Sequence, residues 1–475
     1  MPTDPISYDL VISGGRVIDP ANSLDAKLDV AVKNGEIAAV EANIDTSKTA
    51  RVIRAEGLAV TPGLIDLHTH VAAGIRKPAG EDVMVSPDVA GVISGVTTVV
   101  DAGSTGALNV GGFVNSVAPN AISRVLALIN VGSLGIMSIP EVRSADDINH
   151  AAAVEAIQSS PDIIKGVKVR MVSPGITALG IGLPAAAKAI ATEAEALVMV
   201  HVGDISGRDP VAAELTPRLL TDVLTAGDVV THSLSGQVGA LLADGSLLPQ
   251  ALEARANGVY FDVGVGGANF SFESARRVID AGFIPDTISS DITVMSRFPG
   301  PVFSLTECMG KIMSLGVSFE DAIRMTTSKP AEVLGMSDEI GSLSVGTGAD
   351  ISILELVEGD FMFHGGDDTS GTGTQAIRPV LAVKDGIAMP VDFGPRPWGW
   401  MPSKNDRFAR PVAAPEPVAA VEPDAAVEPT PPIKSVPPVV SVPPAEPVQP
   451  ARPAQPDGPA RNVEAAPVDP DDVIG

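Results

Sequence analysis

Hydrophobic and polar positions change rhythm twice along the chain. From about residue 7 to residue 60, short runs alternate apolar with polar residues: "YDLVISGGRVIDP", "LDVAVKNGEIAAVE" and "ARVIRAEGLAVTPG". A period of two predicts strands with one buried face. Gly14-Gly15, Asn34-Gly35 and Glu56-Gly57 punctuate these runs. Asn-Gly between two alternating runs is a strong hairpin signal. The segment reads as a small antiparallel sheet module.

After Gly63 the alternation gives way to near-continuous apolar runs. These are "LIDLHTH" (64–70), "TTVVDAG" (97–103), "VLALINV" (125–131), "IKGVKVRM" (164–171), "LVMVHVG" (197–203), "VVTHSL" (229–234), "VYFDVGV" (259–265) and "TISSDIT" (287–293). Helical patterns such as "AKAIATEAEA" and "ESARRVIDAG" lie between them. Unbroken apolar strands suit a parallel sheet buried on both faces. Eight of them alternating with helices predict an α/β fold, a (β/α)8 TIM barrel over residues 61–339. Short β runs return in "GSLSVGTGADISILEL" and "AIRPVLAVKDGIAM". They predict that residues 340–400 rejoin residues 1–60 in a small β-sandwich built from both flanking segments. Residues 401–475 are rich in Pro and Ala. Dense proline removes backbone donors and forbids ladders, so this stretch is expected to be a disordered tail. Its "PTPPIKSVPPVV" is a candidate docking arm for a protein partner with an aromatic groove, set against a plain solvated tail.

Composition narrows the partners. The chain has 475 residues, 45% hydrophobic but only 3% aromatic, which implies a large aliphatic core. A formal net charge of -26 repels phosphate backbones and anionic lipid, so nucleic acid and membrane surfaces are not expected partners. No apolar run reaches the length of a membrane span, and the N-terminus lacks a basic segment followed by an apolar one. The expected location is the cytoplasm, and the expected state a homo-oligomer acting on a small-molecule substrate. The single cysteine, Cys308, excludes an intrachain disulfide. With no histidine near it in sequence to serve as a base, it reads as a buried helix residue.

The histidines carry the chemistry. The chain has only 6, and His68 and His70 stand one residue apart at the end of an apolar strand. Residues i and i+2 of a strand share a face, so both imidazoles project together where barrel enzymes build their sites. Such a pair suits a metal ion. His201, His232 and Asp291 fall near the ends of the fifth, sixth and eighth predicted strands. A satisfied core histidine explains any one of these, but not four at matching positions. Lys168 ends the fourth strand, and a lysine aimed into a barrel is a costly buried charge. Carboxylation by CO2 would convert it to a carbamate, an anionic oxygen ligand able to bridge two metals. Lys165 has the opposite parity and faces away.

Arg170 shares the face of Lys168 and could anchor a substrate carboxylate, or pair with an acidic neighbour. Arg76 and Lys77, in the loop after the first strand, are further candidates for anion binding. Asp101 reads either as a partner orienting a ligand imidazole or as a helix N-cap. The glycine-rich "VGVGGANFS" lacks the spacing of a nucleotide fingerprint and reads as an active-site loop that needs close backbone approach.

The segments "GLIDLHTHV", "GVTTVVDAGS", "GVKVRM", "MVHVGD", "VVTHSLSG", "FDVGVGG", "DTISSDI" and "TTSKPAEVLG" together resemble the amidohydrolase superfamily. Within it they resemble the amidohydrolase/deacetylase branch, related to dihydroorotases and D-aminoacylases, over about residues 8–391. The resemblance implies two divalent metal ions, with zinc expected. His68, His70 and Asp291 would hold one and His201 and His232 the other. Lys168 as its CO2-derived carbamate would bridge them, as would a hydroxide, and Asp291 would carry the proton. The branch pattern has His at the positions of Val265 and Thr293, a departure that bears on the substrate rather than the metal. The implied activity is deacetylase-like hydrolysis of an amide or ester bond in a small acylated compound. A cyclic amidohydrolase of the dihydroorotase or hydantoinase type is the alternative, and a non-catalytic assembly subunit the alternative of another class.

Overall fold

The computed structural model describes residues 7–75, 83–207, 210–297 and 301–392. Five strands come first: β1 (Tyr8–Asp19), β2 (Leu24–Lys33), β3 (Glu36–Glu41), β4 (Thr49–Arg54) and β5 (Ala59–Pro62). The barrel strands follow as β6 (Leu64–Thr69), β7 (Val96–Gly106), β8 (Arg124–Asn130), β9 (Ile164–Arg170), β10 (Leu197–His201) and β11 (Val229–Thr231). A two-residue hairpin, β12 (Leu242–Ala243) and β13 (Ser246–Leu247), precedes β14 (Tyr260–Phe261). The chain then returns to β structure in β15 (Ile351–His364), β16 (Ser370–Lys384) and β17 (Ile387–Pro390).

The first and last groups form one sheet in the order β17-β16-β15-β5-β1-β2-β3, with β4 also on β1. Asn34-Gly35 makes the expected hairpin between Lys33 and Glu36, with both turn residues at positive φ. Two expectations fail. Gly14-Gly15 is not a turn: β1 runs through it as a bulge and pairs β2 on both sides. The sheet is also mixed rather than antiparallel. At 12 residues β1 is long enough to take β4 beside Tyr8–Ser13 and β5 beside Arg16 and Val17, both parallel. Leu10, Ile12, Val30 and Val32 share one core with Ile351, Ile353 and Val383, which joins the first and last groups of strands.

The barrel sheet is parallel in the order β14-β11-β10-β9-β8-β7-β6. Residues 287–292 close it, although they do not form a regular strand. Thr287 bridges to Asp262 and Ile292 to Thr69, and the N–H of Asp291 donates to the His68 carbonyl at 2.6 Å. The ladder is broken because the Ser290 N–H goes to the Asp66 carboxylate instead of a strand carbonyl. The sixth and seventh strands are also shorter than expected, β11 ending at Thr231 and β14 spanning two residues. Among the described residues no helix is long and apolar enough to cross a membrane.

Alternate side chains of each barrel strand enter two different cores, as the strand period demands. Val99, Ala127, Ile129, Val167, Val169, Val198, Val200 and Val230 pack outward with helix residues such as Leu183, Ala187 and Ile190. Leu126, Leu128, Met199 and Val229 pack inward, over a floor of Val333, Leu334, Met336 and Ile340. The inward set turns polar one step further along, at Asn130, His201 and Thr231.

A buried lysine links barrel and sheet. In the helix Leu305–Met313, Lys311 is fully buried, with Nζ 3.2 Å from Glu307 Oε1. Lys311 also donates to the carbonyls of Pro301 and His364, the latter at 2.8 Å at the end of β15. Breaking the Lys311–Glu307 pair on one side leaves a buried charge. Lys311→Met is therefore expected to destabilise the protein by about 3 kcal/mol, and adding Glu307→Gln to recover most of it. Denaturant unfolding of the parent, single and double variants measures this, and a Lys311→Met variant as stable as the parent would refute it.

Candidate metal centre

The inward face carries the polar residues to one point. His68 lies near the end of β6 and His70 just beyond it. Lys168 lies in β9, His201 ends β10, and His232 follows β11. Asp291 comes from the closing segment. All six are buried. Asp291 Oδ1 is 3.3 Å from His68 Nε2 and 3.1 Å from His70 Nε2, and Oδ2 is 4.0 Å from His232 Nε2. Lys168 Nζ is 2.9 Å from His68 Nε2. The His201 and His232 rings stand 4.1 Å apart, and those of His68 and His232 5.1 Å. His68, His232 and Asp291 each offer one ligand atom within 4.8 Å of the other two. His232 and Asp291 have φ of 69° and 50°. Left-handed backbone at two non-glycine residues of one site is the strain expected where geometry is over-determined.

The second nitrogen of each ring decides whether a metal fits. Thr231 Oγ1 gives its hydrogen to Asp262 Oδ2 at 2.7 Å, so it accepts from His68 Nδ1 at 2.9 Å. His201 Nε2 lies 3.0 Å from the Gly203 carbonyl, and His232 Nδ1 2.6 Å from that of Gly264. A carbonyl only accepts, so those nitrogens carry the hydrogens. The lone pairs left over are on His68 Nε2, His201 Nδ1 and His232 Nε2. His232 Nε2 is buried and has no hydrogen-bond partner among the described residues. His70 Nδ1 contacts Ser104 Oγ at 2.9 Å, which leaves its Nε2 beside Asp291. Oriented neutral imidazoles with a carboxylate among them are the donor set that divalent metals take.

Burial enforces that neutrality. It drives the His68 and His201 imidazoles well below their ordinary range, helped by neighbouring cationic groups. It lowers His232 to about 3 and the Lys168 amine to about 7. For Asp291 burial works the other way, but the hydrogen bond from His70 and the electrostatic interaction with the neighbouring His and Lys groups outweigh it and hold the carboxyl below its usual range. Lys168 is admitted by a close approach: a Cβ on Gly103, at φ +87°, would stand 2.9 Å from the lysine Cβ.

Several supporting groups escaped the sequence reading. Asp262 accepts hydroxyls from Thr231, Thr287 and Ser289 at 2.6 to 2.7 Å, and so reaches His68 through Thr231. Buried Asp66, pushed up to about 7 by desolvation, holds the Ser290 N–H. Asn269, in the glycine-rich loop, donates to Asp291 Oδ2 at 3.2 Å. Strand-end carboxylates and a polar residue in a glycine loop are weak signals, which only the folded neighbours give meaning. Asp101 caps no helix. It accepts the N–H groups of Ser104 and Val71, beside His70. Arg170 is paired with buried Glu141 at 2.6 Å. Lys165 faces away from the site and bonds the Pro161 carbonyl. Arg76 and Lys77 lie outside the described residues, as does the proline-rich tail.

A sequence model of the Amidohydrolase family matches residues 59–375. A Brucella anthropi protein named deacetylase is 34% identical over 349 residues, 71% of this chain and 81% of its own. An Enterococcus faecalis protein, also named deacetylase, is 30% identical over 387 residues, 80% of this chain and 99% of its own. The crystal structure of an adenine deaminase aligns with TM-score 0.73 at 30% identity, covering 81% of this chain and all of the other. That of a dihydroorotase aligns with TM-score 0.72 at 29% identity, covering 81% of this chain and 98% of the other. With this match across most of its length, the chain belongs to the amidohydrolase family and is a hydrolytic enzyme acting on C–N bonds.

Proposed function

We propose that the protein is a binuclear metal-dependent hydrolase that cleaves the amide or ester bond of a small acylated compound. One observation carries this reading. Four imidazoles each commit one ring nitrogen to a protein partner, and the other nitrogens of His68, His70 and His232 lie beside Lys168 or Asp291, with the His201 ring packed on that of His232. His68, His70 and Asp291 would hold one divalent ion, His201 and His232 a second, and Lys168 as its carbamate would join them. Imidazole and carboxylate donors suit zinc. Metal ions so held acidify water and polarise the scissile carbonyl.

The residues supply the rest. A Lys168 amine lowered to about 7 has a substantial unprotonated fraction near neutrality. Its lone pair can form the N–C bond to CO2, and the loss of one proton leaves the carbamate anion. Asp291 Oδ1 faces His68 and His70, and in our reading its other oxygen takes a proton and passes it to the leaving group. Arg170 is our candidate for a substrate carboxylate, which would have to share the guanidinium with Glu141. Relatives named deacetylase favour a linear acyl substrate. The dihydroorotase likeness keeps a cyclic amide as the second reading.

Elemental analysis of the purified protein is expected to find about two divalent metal ions per chain, with activity lost on chelation. One ion, or none after incubation with metal and bicarbonate, would refute the binuclear reading. Lys168→Ala is expected to lose bound metal and more than about 100-fold in kcat/KM. Full metal and full activity in that variant would remove lysine from the centre. A panel of N-acyl amino acids, O-acyl hydroxy acids and cyclic ureides tests the substrate class. Turnover of the acyl compounds is expected, and turnover of cyclic ureides alone would favour the second reading.

A further inference from the structure

The glycine-rich loop after β14 holds a side chain that the mechanism above does not use. Asn269 is 6% exposed, and its Nδ2 donates to Asp291 Oδ2 at 3.2 Å. The amide cannot face the other way, because its oxygen would then meet a carboxylate oxygen with no hydrogen between them. Asn269 Oδ1 is buried and has no hydrogen-bond partner among the described residues. Buried acceptors are nearly always satisfied, so an exception asks what supplies the donor.

The geometry of proton delivery gives an answer, which rests on reading Asp291 as the proton carrier. The two oxygens of Asp291 are inequivalent: Oδ1 faces His68 and His70, while Oδ2 faces the loop. A leaving group must come within hydrogen-bond reach of Asp291 to receive its proton. On the Oδ2 side it arrives beside the Asn269 carboxamide, whose oxygen and nitrogen share one plane. An amide nitrogen brings an N–H, which satisfies Asn269 Oδ1. An ester oxygen brings none and sets lone pair against lone pair. We propose that Asn269 is a specificity-determining residue that accepts the N–H of the scissile amide and makes the enzyme favour N-acyl over O-acyl substrates.

The test uses metal-loaded enzyme and matched substrates that differ only by NH for O, an N-acetyl amino acid and the corresponding O-acetyl hydroxy acid. Wild type, Asn269→Ala and Asn269→Ser are compared, with thermal unfolding and metal content checked for each. If the alanine variant does not fold, the serine variant carries the comparison. Loss of the carboxamide is expected to lower kcat/KM for the amide by about 10- to 100-fold. The ester offers no hydrogen and loses less, so the amide-to-ester ratio falls. An unchanged ratio overturns the proposal, whether both rates fall together, as a role only through Asp291 would give, or neither does. Wild-type enzyme that hydrolyses neither compound overturns the acyl-hydrolase reading itself, before any variant is compared, and this inference with it.

Discussion

Four imidazoles and a lysine amine share one buried pocket, too close together for several to be charged at once. Each positive charge there would lack water and face others a few ångströms away. The protein resolves this by keeping the His68, His201 and His232 rings neutral and fixing which of their nitrogens is bare. Thr231, Gly203 and Gly264 each take the proton-bearing side of a ring. What remains in the centre is a set of lone pairs around one carboxylate, a place that is uncomfortable for protons and suited to divalent cations.

The same groups hold the barrel closed. Asp262 follows β14, and its three hydroxyl partners come from β11 and from the closing segment 287–292. One carboxylate therefore ties the last strand interval of the barrel and orients His68 through Thr231. Its carboxyl is pushed up by burial, while the three hydroxyl donors favour the anion. Closure and ligand orientation are not separable here. The left-handed backbone at Asp291 is held by this closure, since its N–H bonds to the His68 carbonyl.

The arrangement of strands was legible in the sequence because strand periodicity is local. His68 and His70 declare a shared face by their spacing, and Lys168 separates from Lys165 by parity alone. Partners distant in sequence were not legible. His68 meets Thr231 across 163 positions, and Asp66 meets Ser290 across 224. Nothing local distinguishes a serine that bonds a carboxylate from one that faces solvent. The eighth strand was located but not its irregularity, because its broken ladder depends on Asp66. Gly14-Gly15 looked like a turn because a bulge and a turn ask for the same residue. Only the long pairing with β2 distinguishes them.

The surroundings of Asp291 show how a departure from the family pattern is absorbed. Val265, at a position where the resembling branch carries histidine, is fully buried, and its N–H bonds the Ser289 carbonyl. Thr293, the other departure, is occupied with Ser296, whose N–H its hydroxyl accepts at 2.9 Å. Neither brings a polar group to Asp291 Oδ2. Gly266 leaves space there, since a Cβ would lie 2.3 Å from that oxygen. Its φ of +58° puts the loop backbone where an L side chain is disfavoured. Among the described residues, the hydrogen bond that reaches Oδ2 comes from Asn269. The orientation of Asp291 on the loop side is thus set by one glycine that stays out of the way and one carboxamide that does not.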